Sequence, residues 1–432
     1  MPTQCNRLYN LYVTSLGLAV LLLLLNGGRA LKCKPLDEYT EEEQDKINVF
    51  FEMRDNEELG RVVDEESYLE EIQYTEDNTK VLIVQEIHKS NNGEIYELEM
   101  DKKFSDISKD AGFRVGLEVD DIFCVKNDDE EILMYLEEKY SNNFKLPEMD
   151  EEFFQSMKKL ITRMRFYLQT LKVYCQVPAH GYRHCDIRPG RFVFKQNDES
   201  TAEETSLPFF PMMRDFGSVR TFENFCRGRL PEYSDPEVFT RTINKTEAFN
   251  ANMELFSVAL LLLHFEVKML QAQARNIENQ DALIESFSEL PEASDHMKKY
   301  TRKETPVDHI TSLTFISNQL REMLGDWNKE KLDLGYSAFV NEVDYVEKAM
   351  VLYYQFILQN TLEEEAKEKI PDIVKAYQAY LDLLKKMMKE NSSIPPYRPG
   401  CDTAIGELNG YIEALASVDE ENNRRARRII LV

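Results

Sequence analysis

Residues 255–264 read Leu-Phe-Ser-Val-Ala-Leu-Leu-Leu-Leu-His. A helix over this run is apolar on every side and has no face to turn toward water. It is also too short to cross a bilayer, which takes about 20 apolar residues. The run is therefore predicted to be a helix buried at the centre of a large core, and the rest of the chain must supply the elements around it. With 432 residues and 43% hydrophobic content the chain has the material to do so. There is room for one large two-lobed domain or two smaller ones, and global disorder is excluded.

The two halves of the chain carry different periodicities. Val81-Leu82-Ile83-Val84 is a short β-branched run that reads as a buried strand, and Asn91-Asn92-Gly93 ends it. Tyr96, Met100, Phe104 and Ile107 then recur at helical spacing over residues 94–108. Strand-like stretches follow from Val115 to Val125 and from Ile132 to Leu136, parted by the polar turn Asn127-Asp128-Asp129. From about residue 150 the pattern is helical. Phe153, Met157, Leu160, Ile161, Met164 and Leu168 mark one apolar face, and Val346–Phe356 and Ile373–Met388 are amphipathic. Residues 34–72 are acidic and hold Val49-Phe50-Phe51 without a clear period, and 197–204 read as a polar surface loop. Ser392 to Gly400, with Pro395, Pro396 and Pro399, breaks the helical pattern. The expected class is α+β, with a small β-rich N-terminal part and a large helical C-terminal part.

The formal net charge is −26. A surface this acidic repels nucleic-acid phosphates and anionic lipid and favours basic protein partners. The one basic cluster, Arg424-Arg425-Ala426-Arg427-Arg428, runs into Ile429-Ile430-Leu431-Val432 and is the sole route to a membrane contact that the sequence offers. At the other end, Arg7, the apolar run Leu18–Leu25 and Gly27-Gly28-Arg29-Ala30 have the form of a secretory signal peptide cleaved after Ala30. Secretion changes how the seven cysteines are read. Cys5 leaves with the signal, and Cys33, Cys124, Cys175, Cys185, Cys226 and Cys401 are free to form disulfides in an oxidising compartment, in any of about 15 connectivities. Asn244-Lys245-Thr246 and Asn391-Ser392-Ser393 are glycosylation sequons, so Asn244 and Asn391 are expected acceptors.

Two loops carry the chemistry. Residues 182–194 read Tyr-Arg-His-Cys-Asp-Ile-Arg-Pro-Gly-Arg-Phe-Val-Phe, and 214–217 read Arg-Asp-Phe-Gly. In this order they resemble the catalytic loop and the metal-binding loop of protein kinases. Further landmarks fall in family order over residues 75–270. Leu133-Met134-Tyr135-Leu136-Glu137 resembles the strand entering the hinge. Pro231-Glu232-Tyr233-Ser234-Asp235-Pro236-Glu237 resembles the end of an activation segment. Glu254-Leu255-Phe256-Ser257-Val258-Ala259 resembles the start of the central helix, where the family usually has Asp.

The resemblance implies a bilobal kinase-like fold with extra C-terminal helices. It divides the chain into a signal peptide (1–30), an acidic extension or degenerate first strands (31–72), a small lobe (73–140), a helical lobe (141–390) and a C-terminal extension with a basic tail (391–432). It also implies roles. Asp186 matches the catalytic base and Asp215 the magnesium ligand. Arg188 stands where the family has a phosphate-facing Lys. The position of the Asn that ligates a second metal is Arg191, whose guanidinium is a permanent cation and cannot ligate one. Gln85 takes the place of the phosphate-anchoring Lys, with Glu97 or Glu99 as its helix partner; a second alignment makes residues 94–100 the strand and puts Glu99 there. Glu137 marks the hinge. Glu57-Glu58-Leu59-Gly60-Arg61-Val62 is the best match to the Gly-rich loop and holds a single Gly. Cys185 replaces the usual Arg before Asp186 and reads as a buried small residue, a disulfide partner or a redox-sensitive thiol. His184 is expected to pack in the core.

Losing the Lys, the Asn and the glycines removes most of the charge that phosphoryl transfer needs. The expectation is a secreted pseudokinase that binds or scaffolds a protein partner, with ATP, with or without Mg²⁺, as its only candidate cofactor. An active atypical secreted Ser/Thr kinase and a structural vacuole or matrix protein are the alternatives. The signal peptide and missing Gly loop resemble secreted kinase-like proteins of apicomplexan parasites, which implies a secretory organelle, vacuole or cyst wall as destination.

Overall fold

A computed structural model describes residues 33–56, 61–64, 69–73, 80–87, 92–111, 114–127, 130–138, 142–143, 151–196, 207–221, 235, 253–274, 347–388 and 399–429. The architecture is mixed α/β, mostly helical, with small antiparallel sheets. The chain divides into two compact units. One takes in the residues up to Asp106 together with Glu118–Lys139; the other takes in Ile107–Leu117 and the chain from Tyr140 onward. The leader over 1–30, the sequons at Asn244 and Asn391 and most of the 231–237 segment lie outside the described residues. Among the described residues no helix is long and apolar enough to cross a membrane.

The first unit is built on a five-stranded antiparallel sheet: β1 (Arg61–Asp64), β2 (Leu69–Gln73), β3 (Lys80–Ile87), β4 (Val119–Asn127) and β5 (Glu130–Glu138), in the order β1-β2-β3-β5-β4. The strands obey the period of two. Leu82, Val84, Ile132, Met134 and Leu136 share one face and one core cluster, and Leu133 and Cys124 belong to another. Helix α1 (Glu41–Asp55) covers the first face with Ile47, Phe50 and Met53. The helix starts where Thr40 caps it: the Thr40 hydroxyl accepts from the Glu43 N–H while the Glu43 carboxylate accepts from the Thr40 N–H. The acidic stretch, which shows no clear period in sequence and was expected to be an extension or degenerate first strands, is a capped helix followed by two sheet strands. Its N-terminal end is sewn down. Lys34 forms a parallel bridge to Val125, Cys33 is disulfide-bonded to Cys124, and the Tyr39 hydroxyl donates to the Cys124 carbonyl at 2.7 Å.

Helix α2 (Asn92–Ala111) occupies the span that the spacing of Tyr96, Met100, Phe104 and Ile107 predicts. The second alignment, with a strand over 94–100, is thereby corrected: apolar residues three and four apart bury one helical face, which a strand of period two cannot do. The strand expected from Val115 begins at Val119.

The second unit surrounds α5 (Met253–Ala274), whose residues Leu255 to Leu262 are all buried, as the opening sequence argument requires. Around it lie α3 (Glu151–Ser156), α4 (Leu160–Ala179), residues 347–361 in helical form and α6 (Ile370–Met387), and α7 (Cys401–Ile429) packs on α4 and α6. The single apolar face expected over 153–168 is split between α3 and α4. Phe153 still joins Phe166, Phe194, Phe209 and Phe265 in one aromatic cluster, with Phe153 stacked on Phe194 at 4.8 Å. Cys175 on α4 is disulfide-bonded to Cys401 at the start of α7.

Short strands then shape the loops that carry the motifs. β6 (Asn142–Asn143), β8 (Phe192–Gln196) and β9 (Phe209–Met213) form a three-stranded sheet. β7 (Tyr182–Arg183) pairs with β10 (Arg220–Thr221).

Candidate functional site

The loop 184–191 runs from β7 to β8, and the loop 214–219 runs from β9 to β10. Because β8 pairs with β9 and β7 with β10, each loop is pinned at both ends to the other. The β8–β9 register sets Phe192 opposite Met213, and the Arg214 N–H donates to the Arg191 carbonyl at 3.0 Å just beyond it. Arg191 and Arg214 thus enter the site side by side, and Asp186 and Asp215 follow from the two loops.

Two backbone turns aim the loops. Cys185 has φ of 67° and Asp215 has φ of 57°, both in the left-handed region that non-glycine residues adopt only when neighbours hold them there. The holder at Cys185 is Glu254, the second residue of α5. Its carboxylate accepts from the His184 N–H at 3.0 Å and from the Cys185 N–H at 2.6 Å, one oxygen each, while 4% exposed. A buried carboxylate that receives two N–H groups is satisfied without a metal or a cation. The resemblance marked Glu254 only as a landmark; its place as the anchor of the loop comes from these two bonds.

His184 is fully buried, with its ring 5.5 Å from that of Phe216. Burial pushes its pKa below the ordinary value, and the nearby carboxylates Glu254 and Asp186 offset this only in part. It packs in the core as expected. Of the three readings of Cys185, the disulfide applies: the residue is buried and disulfide-bonded.

At the centre stands Arg191. Its Nε donates to Asp186 Oδ2 at 2.8 Å, its Nη2 lies 2.6 Å from the same oxygen, and its Nη1 donates to Asp215 Oδ2. One guanidinium therefore bridges the two carboxylates that a kinase would use as base and metal ligand. Burial works against its charge, but Asp215 and the bonds to Asp186 outweigh that and raise its pKa further. Arg188 approaches Asp186 from another side, Nε to Oδ2 at 3.1 Å, and Arg214 Nε donates to Asp215 Oδ1 at 3.1 Å. Arg214 was not singled out from the sequence, although it stands beside Asp215 in the very motif that drew notice.

A divalent cation does not fit this donor set. Both oxygens of Asp215 receive guanidinium N–H groups, and a cation placed between Asp186 and Asp215 meets the Arg191 charge where it needs a ligand. Among the described residues there is also no group of three His, Cys, Asp or Glu side chains placed to hold a metal ion.

The remaining site residues belong to the first unit. Gln85 is buried on β3, its backbone paired with Leu69 and Leu133. Lys80, five positions earlier on the strand, is held by Asp120 at 2.8 Å, so it does not stand in for the missing Lys. Glu97 is half-buried on α2, and Glu137 on β5 is registered with Val81 and Val119. In the Gly-loop candidate, Arg61 and Val62 are β1 residues and 57–60 lie outside the described residues.

No protein-family model matches the chain, and no curated protein matches it.

Proposed function

We propose that the chain is a divergent kinase-like protein that does not transfer phosphate and acts as a binding or scaffolding module. The observation that carries this reading is the Arg191 bridge between Asp186 and Asp215. Phosphoryl transfer needs a base free to accept a proton and a carboxylate free to hold a metal against the phosphates. Here both are paired to a guanidinium that stays charged at every accessible pH. Gln85, which brings no charge, adds to the deficit.

The kinase-like reading of the fold draws support from the antiparallel β1-β2-β3-β5-β4 sheet with a helix between β3 and β4, and from the two pinned loops anchored by Glu254. Passage through the secretory pathway draws support from the Cys33–Cys124 and Cys175–Cys401 disulfides, which persist in oxidising compartments. The −26 charge favours a basic partner.

The test is incubation of purified, disulfide-intact protein with radiolabelled ATP and Mg²⁺ or Mn²⁺, with Asp186→Ala and Asp215→Ala proteins alongside. The expected result is no incorporation above that of the two variants. Incorporation into the protein or a generic substrate that both substitutions abolish would overturn the reading.

A further inference from the structure

We propose that α4, α5 and α6 enclose a buried water site, in which one ordered water joins Arg163 Nη2, the Tyr380 hydroxyl and Glu266 Oε2. None of these residues belongs to the two motif loops. Arg163, Glu266 and Tyr380 are each 0% exposed. A polar atom on any of them that finds no partner in the protein therefore finds none in bulk water, and leaving it so is costly. Two such atoms occur here: among the described residues, neither Arg163 Nη2 nor the Tyr380 hydroxyl has a hydrogen-bond partner.

The geometry of the guanidinium explains why Nη2 is left over. Nη1 donates to the Met157 and Lys158 carbonyls at 3.3 and 2.8 Å, and Nε donates to Glu266 Oε1 at 2.9 Å. In a two-pronged pairing Nη2, which shares an edge of the guanidinium with Nε, donates to the second carboxylate oxygen. Here Glu266 Oε2 instead accepts from the Tyr377 hydroxyl, at a long 3.3 Å. A donor without an acceptor thus stands beside an acceptor with one long bond. Tyr380 comes to the same node from α6. Its ring stacks on that of Tyr167 with centroids 5.1 Å apart, and the Tyr167 hydroxyl donates to Glu266 Oε1 at 2.6 Å. Burial, and after it the Glu266 carboxylate, raises the Tyr380 pKa well above its ordinary value, so the hydroxyl keeps its proton.

These groups select the ligand. The charges of Arg163 and Glu266 cancel, so the site takes a neutral molecule. Nη2 needs an acceptor and Oε2 has room for a donor, so that molecule must both accept and donate. The tyrosine rings packed around the node, Tyr167 on Tyr380 and Tyr354 on Tyr377, keep it small. Water meets every demand. A buried water typically makes about three hydrogen bonds to groups the protein leaves unpaired. Here it accepts from Arg163 Nη2, donates to Glu266 Oε2 and takes the Tyr380 hydroxyl as its third partner. The sign of one substitution follows. An orphaned hydroxyl costs stability and its removal raises Tm, whereas a water-bonded hydroxyl contributes stability and its removal lowers Tm.

The test is a crystal structure of the purified, disulfide-intact protein, with and without a bromide soak, together with thermal unfolding of the wild type and Tyr380→Phe. The expected density is a single water within about 3.2 Å of Arg163 Nη2, the Tyr380 hydroxyl and Glu266 Oε2, unchanged by bromide. Tyr380→Phe is expected to lower Tm by roughly 2 °C. A dry node, with Nη2 bonded directly to Oε2 or the Tyr380 hydroxyl bonded to another protein group, overturns the site. Bromide density at the same place makes it an anion site and overturns the neutral ligand. A Tm that stays or rises in Tyr380→Phe overturns the bridge, because the hydroxyl then has no partner to lose. The wild-type density decides the matter even where the variant does not fold.

Discussion

Glu254 and His184 show how the site loops depend on single side chains. Glu254→Gln keeps the shape but puts an amide where a charged carboxylate received two backbone N–H groups, so one N–H loses its acceptor inside the core. The expected cost is about 2–3 kcal/mol of unfolding free energy, read by chemical denaturation. A loss under about 0.5 kcal/mol removes Glu254 as the anchor. His184 adds a pH dependence. Its pKa is lowered on folding from an ordinary 6.5, by burial first, so the folded form holds it neutral while the unfolded chain takes up a proton below that pH. Its contribution is complete above pH 6.5 and declines as pH falls below 6.5 toward the folded pKa. A stability-versus-pH curve for His184→Phe should lack that part of the slope; an unchanged slope means that other groups carry it.

The residues of the site were legible in the sequence to different depths. Asp186, Arg188, Arg191 and Asp215 are brought together as the loop motifs imply, because four short strands pin both loops. The bridging role of Arg191 was one of several options in the sequence, since an Arg five residues from one Asp can reach either carboxylate or a ligand. Only the β8–β9 register decides that it reaches both.

At the scale of elements, a buried ion pair joins α4 to α5. Arg163 Nε donates to Glu266 Oε1 at 2.9 Å with both side chains fully buried, the Arg163 Nη1 donates to the Lys158 carbonyl at 2.8 Å, and the hydroxyls of Tyr167 and Tyr377 donate to Glu266 at 2.6 and 3.3 Å. Three helices, α4, α5 and α6, therefore meet at one carboxylate. Removing its charge leaves Arg163 buried without its counterion. Glu266→Gln is expected to cost about 3–5 kcal/mol, seen as a lowered denaturation midpoint. A near-neutral result means that the tyrosines and carbonyls alone hold the helices. The only mark of this node in sequence is a single Glu two positions beyond an all-apolar run, and nothing near it names its partner 103 residues away. Local pattern explains the elements that were legible. α2 has enough spaced apolar residues to set a period and α5 has an unbroken apolar run, whereas α1 buries only Ile47, Phe50 and Met53 among many acidic residues. The signal that could have found it lies at its start, Thr40 followed by Glu43, a capping pair rather than a stripe.

At the scale of the whole molecule, two of the disulfides, one in each unit, fasten an outlying segment to the body of that unit. Cys33–Cys124 fastens the chain ahead of α1 to β4, and Cys175–Cys401 fastens α7 to α4 across a separation of 226 residues. An even cysteine count permits such links, but their pairing depends on the fold, which brings residues far apart in sequence together. Closing loops this long stabilises mainly by restricting the unfolded chain, by up to about 4–5 kcal/mol each. The α7 packing is modest by comparison. Ala404, Leu408, Ile412 and Leu415 are buried, and one ion pair links Lys386 to Glu407. A helix held, among its described side chains, by four buried apolar residues and a covalent link should open locally when the link is cut. Cys175→Ala with Cys401→Ala is therefore expected to speed amide exchange over 401–416 while leaving β3, β4 and β5 protected. Cys33→Ala with Cys124→Ala is expected to speed exchange over 36–55 and leave α7 unchanged. Mass spectrometry of deuterium uptake reads both at once. Uniform acceleration in either variant would mean that the two units unfold as one cooperative body, and that the disulfides stabilise the whole chain and not the segment each one ties down.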